Sequence, residues 1–160
     1  MISPDMLRRE LPGDRAAHDV VDRARTAVRA VLAGEDRRLL VVVGPCSIHD
    51  PEAALDFAGR LAELDNAVGD RLVLIMRTYF EKPRTNLGWR GWLTDPALDG
   101  TCDPQRGLTE ARRLLLDVSR LGVPCATETL EPMFAPYLDD LVSWTAIGAR
   151  TVESQTHRAM

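Results

Sequence analysis

The hydrophobic positions of this chain alternate between two periods. Over residues 16–33, Val21, Ala24, Val28 and Val31 recur at helical spacing, and Gly34 stands where a left-handed residue closes such a helix. Leu39 to Val43 then runs without a polar interruption, the pattern of a strand buried on both faces in a parallel sheet. Asp50-Pro51-Glu52 reads as an N-cap followed by proline in the first turn, opening a helix that turns Leu55, Ala58 and Ala62 inward and fades near Gly69. Leu72 to Met76 is a second buried strand. Leu108, Ala111, Leu115 and Val118 mark the next helix, stopped by Gly122, and Pro124 to Thr127 the third strand. A short helix over residues 134–142 leads to a fourth strand, Trp144 to Gly148.

A helix followed by alternating strands and helices builds a parallel sheet with right-handed crossovers, so the predicted fold class is α/β. In such folds the chemistry collects at the carboxyl ends of the strands. Here those ends carry Gly44-Pro45-Cys46-Ser47-Ile48-His49-Asp50, then Arg77 and the loop holding Lys82, then Glu128, then Ala149-Arg150-Thr151. A thiol, a basic cluster, a carboxylate and an arginine are thereby delivered to one rim. The loop after the second strand, residues 77–105, is long for a compact domain, and loops of that length are usually functional.

Charge narrows the partners. With a net charge of −4 and only short basic pairs such as Arg37-Arg38, the chain lacks the basic surface that nucleic acid requires. The amino terminus has no apolar signal core and the apolar runs are too short to cross a bilayer, which predicts a cytoplasmic protein with no membrane partner. Three cysteines without close pairing predict reduced thiols.

Of the 20 Lys and Arg residues, Lys82 is the only lysine, and it sits between Arg77 and Arg84. Arginine's planar fork grips phosphate or carboxylate oxygens in pairs, whereas an ammonium is a compact charge that can also donate a proton. The segment reads as an anion site with one residue chosen for different chemistry, or else as a solvated basic loop. Cys46 is a small buried hydrophobe, a metal ligand or a nucleophile. Glu128 is a pocket carboxylate or the neutralising partner of an arginine. His49 is a second ligand beside Cys46 or, since it falls at the start of a helix, a local hydrogen-bonding group, the preferred reading; His18 and His157 read as surface or structural. Trp89 and Trp92 either pack the long loop on the scaffold, the preferred reading, or shape the pocket; Trp144 belongs to the core, and Cys125 and Cys102 lack metal-ligand spacing.

Three runs together resemble the type I 3-deoxy-D-arabino-heptulosonate-7-phosphate (DAHP) synthases: Gly44 to Asp50; Arg77 through Lys82-Pro83-Arg84-Thr85 to Gly88-Trp89-Arg90-Gly91; and Ser143-Trp144 to Gly148-Ala149-Arg150-Thr151 with Glu153-Ser154-Gln155. The resemblance implies a (β/α)8 TIM barrel that condenses phosphoenolpyruvate with erythrose 4-phosphate at the entry to the shikimate pathway of aromatic amino acid biosynthesis. It implies that Cys46 ligates a divalent metal (Mn, Fe, Co or Zn). Arg77, Lys82 and Arg150 would hold phosphoenolpyruvate, with the Ala149 backbone beside its phosphate. Pro83, Arg84 and Thr85 would hold erythrose 4-phosphate, and Glu128 would lie near the attacking water, making Lys82 and Glu128 the catalytic residues. The acceptor loop differs from the Lys-Ala-Asn-Arg-Ser of the related synthase for an eight-carbon sugar acid phosphate.

A complete barrel needs about 200 residues or more. By the resemblance, residues 1–36 are an amino-terminal helical extension and residues 37–160 about half a barrel, with the other metal ligands and further cations outside them. Such a chain is expected to be inactive alone. The family's extension also implies a homo-oligomer and an aromatic amino acid effector, although Phe134-Ala135-Pro136-Tyr137 departs from the Thr-Pro-Gln-Tyr of phenylalanine-sensitive members. The alternative is a non-catalytic half-barrel that binds phosphate compounds or pairs with a partner chain.

Overall fold

Two helices precede the sheet, each opened by a side chain that accepts from otherwise unpaired backbone N–H groups. In the computed structural model, which describes residues 1–84 and 87–149, α1 spans Pro4–Glu10 with Ser3 as its cap, and α2 spans Arg15–Leu32 with Asp14 accepting from the Ala17 N–H. Ala17, Val20, Val21, Ala24 and Val28 form the buried stripe of α2, while Val31 is only partly covered.

The sheet is parallel, in the order β1-β2-β3-β4: β1 at Leu39–Val43, β2 at Leu72–Arg77, β3 at Cys125–Thr129 and β4 at Trp144–Ile147. Its register pairs Val43 with Met76, Arg77 with Ala126, and Thr129 with Ile147, so all four strands end at one rim. The helices between them are α3 (Pro51–Val68) and α4 (Pro104–Arg120). Between β3 and β4 the expected helix over 134–142 is instead a 3-10 turn, one turn of α-helix (α5, Ala135–Leu138) and a second 3-10 turn. Pro132 and Pro136 leave too few backbone donors there for a longer helix. The result is a four-stranded half-barrel with helices packed on it.

Most of the core lies between the sheet and α3 and α4, where Leu61, Leu74, Met76, Leu108, Ala111, Leu115 and Val118 are buried together. A smaller cluster of Val28, Val73, Ile75 and Ala126 fills the other face of the sheet. Three expectations are corrected. The continuous apolar run of β1 is not buried on both faces: Leu39 is 68% exposed and Val42 and Val43 each 37%, because β1 is an edge strand with one neighbour. The inward face of α3 is Ala54, Ala58 and Leu61, one residue earlier than the periodicity placed it at two of three positions, with Leu55 and Ala62 only partly covered. Trp144 is half-buried, packed against the smaller cluster rather than enclosed by the core.

Candidate functional site

At the rim, the turn after β1 and the exit of β2 are drawn tightly together. A side chain at Gly44 would place its Cβ 2.8 Å from the Arg77 carbonyl oxygen, so only glycine lets the turn pass β2. The Ile48 N–H donates to the Tyr79 carbonyl at 2.8 Å, and the Ser47 hydroxyl donates to the same oxygen at 3.2 Å. On the other side, the Thr78 N–H and hydroxyl both donate to the Ala126 carbonyl, at 2.7 and 3.0 Å, and the Thr127 hydroxyl donates to the Thr78 carbonyl at 3.0 Å. The ends of β1, β2 and β3 are thus tied laterally by hydroxyl and backbone bonds, a rigid base for the side chains above it.

Cys46 and Lys82 meet on that base. The Lys82 Nζ donates to the Cys46 Sγ at 2.9 Å and reaches the Cys46 carbonyl at 3.4 Å, where Arg77 also donates at 3.4 Å. Hydrogen bonding and charge from Lys82, assisted by Arg77 and Arg84, hold the exposed Cys46 thiol below its ordinary range. Cys125 behaves oppositely: full burial pushes its thiol up to about 12. Of the open readings of Cys46, the buried hydrophobe is excluded. The Arg77 guanidinium lies over the Tyr79 ring, 3.9 Å from its centroid, and its buried Nε has no hydrogen-bond partner among the described residues. Burial raises the Tyr79 hydroxyl above its usual value, Arg77 lowers it and Glu128 raises it, which places both groups within electrostatic reach of one ring.

The loop that carries Lys82 doubles back on itself. The Lys82 N–H donates to the Arg90 carbonyl at 3.0 Å, Glu81 pairs with Gly91 in an antiparallel bridge, and Phe80 and Trp92 pack with ring centroids 6.1 Å apart. Gly91 has φ +104°, and a Cβ there would fall 2.3 Å from the Phe80 carbonyl oxygen. Trp89 donates its indole N–H to the Asp95 carbonyl at 2.8 Å, and Trp92 is 3% exposed, so both tryptophans hold the loop as the sequence suggested.

The expected residues divide into three groups. Cys46, Arg77 and Lys82 come together by direct contact, and Arg84, exposed beside them, adds its charge to the same thiol. Glu128 is half-buried within β3, which runs two residues further than the sequence placed it, and lines a cleft with Glu81, Thr145 and Phe134. Ala149 is exposed just past the end of β4, and Pro83 is half-buried between Lys82 and Arg84. Thr85 and Arg150, like Glu153-Ser154-Gln155, lie outside the described residues.

As a donor to a divalent cation, Cys46 fits in being accessible and readily ionised. No group of three or more His, Cys, Asp or Glu side chains among the described residues could hold such an ion. Among the described residues Cys46 is a candidate donor without the further donors that a metal site needs.

One residue escaped the sequence reading altogether. Glu81 is 9% exposed, and its two carboxylate oxygens accept from the Leu130 N–H at 3.0 Å and the Glu131 N–H at 3.1 Å. Burial, opposed by those two bonds, lifts its carboxyl to about 7. Only its position beside Lys82 gave any hint, since the apolar Phe80 before it opens a buried hairpin.

The profile of the DAHP synthetase I family matches residues 17–160. The chain is 54% identical, over 99% of its length and 78% of the relative's, to a phospho-2-dehydro-3-deoxyheptonate aldolase of Amycolatopsis methanolica. It is 52% identical to the Trp-sensitive enzyme of Enterobacter agglomerans and 50% to the Tyr-sensitive enzyme of Escherichia coli, aligning over its whole length with 46% and 45% of theirs. Among solved structures, the phospho-2-dehydro-3-deoxyheptonate aldolase of Francisella tularensis SCHU S4 superposes with a TM-score of 0.96 at 44% identity, covering 99% of this chain and 46% of that one. The chain thus spans about half the length of several of these relatives.

Proposed function

Since the chain belongs to the DAHP synthetase I family, we propose that it carries the acceptor loop and part of the phosphate grip of a 3-deoxy-7-phosphoheptulonate synthase, within a barrel that residues 37–160 half build and residues 1–36 precede. The overall reaction joins phosphoenolpyruvate, erythrose 4-phosphate and water to give DAHP and phosphate. Carbon 3 of the enolpyruvate attacks the aldehyde carbon, water adds at carbon 2, and the bond from carbon 2 to the phosphate oxygen breaks.

The contact that carries this reading is Lys82 Nζ against Cys46 Sγ at 2.9 Å, with Arg77 on the same residue's carbonyl. Two phosphorylated substrates need converging cations, and this contact keeps one of those cations beside Cys46, the would-be metal donor. Arg77, whose buried Nε has no hydrogen-bond partner among the described residues, and Lys82 grip phosphoenolpyruvate, assisted by Arg150 and the Ala149 backbone. Arg84, exposed beside Pro83, grips the phosphate of erythrose 4-phosphate together with Thr85. Lys82, between Arg77 and Arg84 in the sequence, can lie near both reactants and give its proton to the aldehyde oxygen as the new bond forms. Glu128 orients the water. A bound divalent cation, with Cys46 among its ligands, would act as a Lewis acid on the aldehyde.

Titration calorimetry of the chain with each substrate tests the grip. Binding of phosphoenolpyruvate that is lost in Arg77→Ala is expected, and no binding of either substrate would sink the reading. The aromatic amino acid effector belongs to the same reading, supported by Trp- and Tyr-sensitive relatives, and the homo-oligomer and a cytoplasmic location go with it; among the described residues no helix is long and apolar enough to cross a membrane. A second reading, a half-barrel that pairs with a partner chain, is favoured by one observation: Leu39, Val42 and Val43 on edge strand β1 are exposed. Measurable turnover by this chain without any partner would exclude it.

A further inference from the structure

Lys82, in the loop after β2, and Glu128, on β3, the two groups assigned to proton transfer and water, share no hydrogen bond or ion pair among the described residues, so something must fix their separation. The β3 exit and the acceptor loop do touch through Glu81. Its carboxylate accepts the N–H of Leu130 at 3.0 Å and of Glu131 at 3.1 Å, the residues two and three positions past Glu128. Its own backbone is fixed in turn by the bridge to Gly91 and, one residue on, by the Lys82 N–H to the Arg90 carbonyl at 3.0 Å. At 9% exposure the carboxylate is shielded from water that would otherwise compete for those two donors. A surface glutamate could not serve this way, because solvent would replace either bond at little loss.

We propose that Glu81 is a positioning residue that holds the acceptor loop, and with it Lys82 and Arg84, at a fixed distance from Glu128 on β3. It touches neither substrate. It acts by joining the loop after β2 to the segment after β3: Phe80 and Trp92 pack the loop against the core, while the Glu81 side chain bonds its hairpin to the backbone just beyond Glu128. The titratable groups that face it among the described residues are carboxyls, Glu128 and Glu131 by charge and Asp139 across the shared cleft, and its oxygens are taken by the backbone. The link to erythrose 4-phosphate rests on the synthase reading, whereas the link between loop and strand does not.

Two variants of the full 160-residue chain test it. Glu81→Gln puts an amide NH2 where one acceptor oxygen stood, and Glu81→Asp withdraws the carboxylate by one methylene. In each, thermal melting first establishes that the chain folds. Amide hydrogen exchange by NMR is then expected to lose about tenfold or more protection at Leu130 or Glu131, as for loss of a buried hydrogen bond. The Lys82 and Arg84 amide signals should move with it. Calorimetry with erythrose 4-phosphate should show binding weakened about tenfold, and with phosphoenolpyruvate less than threefold, a selectivity that general loosening of the fold would not produce. Unmoved Lys82 and Arg84 signals in a folded variant would overturn the proposal, as would unchanged binding of erythrose 4-phosphate. If neither variant folds, the proposal is also overturned, since Glu81 would then be a determinant of the fold. If the unaltered chain binds neither substrate, the synthase reading fails, and the Lys82 and Arg84 signals decide the positioning role on their own.

Discussion

Arg112, wholly buried on α4, meets Asp140 through two parallel bonds of 2.7 and 2.8 Å. The same guanidinium donates to the Leu11 carbonyl at 2.8 Å and the Tyr137 carbonyl at 2.9 Å, so one side chain fastens the chain after α1 to the segment before β4. Burial pushes the Asp140 carboxyl up, but Arg112 and Arg8 together bring it below its ordinary value. Removing Asp140 leaves a buried cation unpaired, and Asp140→Ala should destabilise by about 3–5 kcal/mol in urea unfolding. Arg112→Met combined with Asp140→Leu should lose less than Asp140→Ala alone, since no charge is then stranded. Equal losses would mean that the pair's geometry matters less than the volume it fills.

Two carboxyls give stability opposite slopes in pH. Glu81 is raised from 4.5 to about 7, so between those values the folded state keeps a proton that the unfolded chain has shed, and stability falls as pH rises. The loss across that window is on the order of 3 kcal/mol. Asp140 is depressed below 3.8, so its contribution is present above that value and disappears as pH falls through its lower folded value. Unfolding free energy measured from about pH 3 to about pH 8 should rise out of acid and then decline toward neutrality. Glu81→Gln should flatten the decline and leave the acid limb in place.

Cys46 and Cys125 should differ widely toward alkylating reagents. In a Cys102→Ser background, Cys46 is expected to react fastest, with a half-reaction pH below that of an ordinary thiol, while Cys125 stays inert until the chain unfolds. Lys82→Met should shift the Cys46 profile upward, because the largest cause of its depression is then gone. An unchanged profile would show that Lys82 is not held against the thiol in solution.

The two cations of the acceptor loop should fail differently. In a full-length barrel made by joining residues 1–160 to the remainder of the Escherichia coli relative, Lys82→Arg keeps the charge but replaces a compact proton donor with a planar fork. Its kcat should drop on the order of a hundredfold with smaller changes in KM. Arg84→Ala should instead raise KM for erythrose 4-phosphate selectively. A Lys82→Arg enzyme with near-normal kcat would reduce the lysine to a replaceable charge.

The order of strands and helices, and the rim they share, were legible in the sequence because each rests on a local signal: the apolar run Leu72 to Met76, the Asp50-Pro51 cap, the helical spacing from Leu108 to Val118. The exposure of β1 was not, because an apolar run records what a strand can bury and not how many neighbours it has. Cys46, Arg77 and Lys82 were found through residue type and placement at strand ends. Glu81 and Arg112 were missed for a shared reason: a charged residue in a sequence looks solvated, and only the fold shows Leu130 and Glu131 donating to one and Asp140 paired with the other. The hairpin of the long loop was hidden likewise, since Gly91 reveals its part only when the Phe80 carbonyl is seen behind it.

A chain with one lysine, whose amine rests 2.9 Å from a thiol, is also a chain that can report on itself. o-Phthalaldehyde condenses with a primary amine and a neighbouring thiol into a fluorescent isoindole, and among the described residues Lys82 and Cys46 are the lysine and cysteine placed to close that ring. Fluorescence that develops in the unliganded chain and is quenched in proportion to added phosphate ester would turn the acceptor loop into its own dye, readable without turnover.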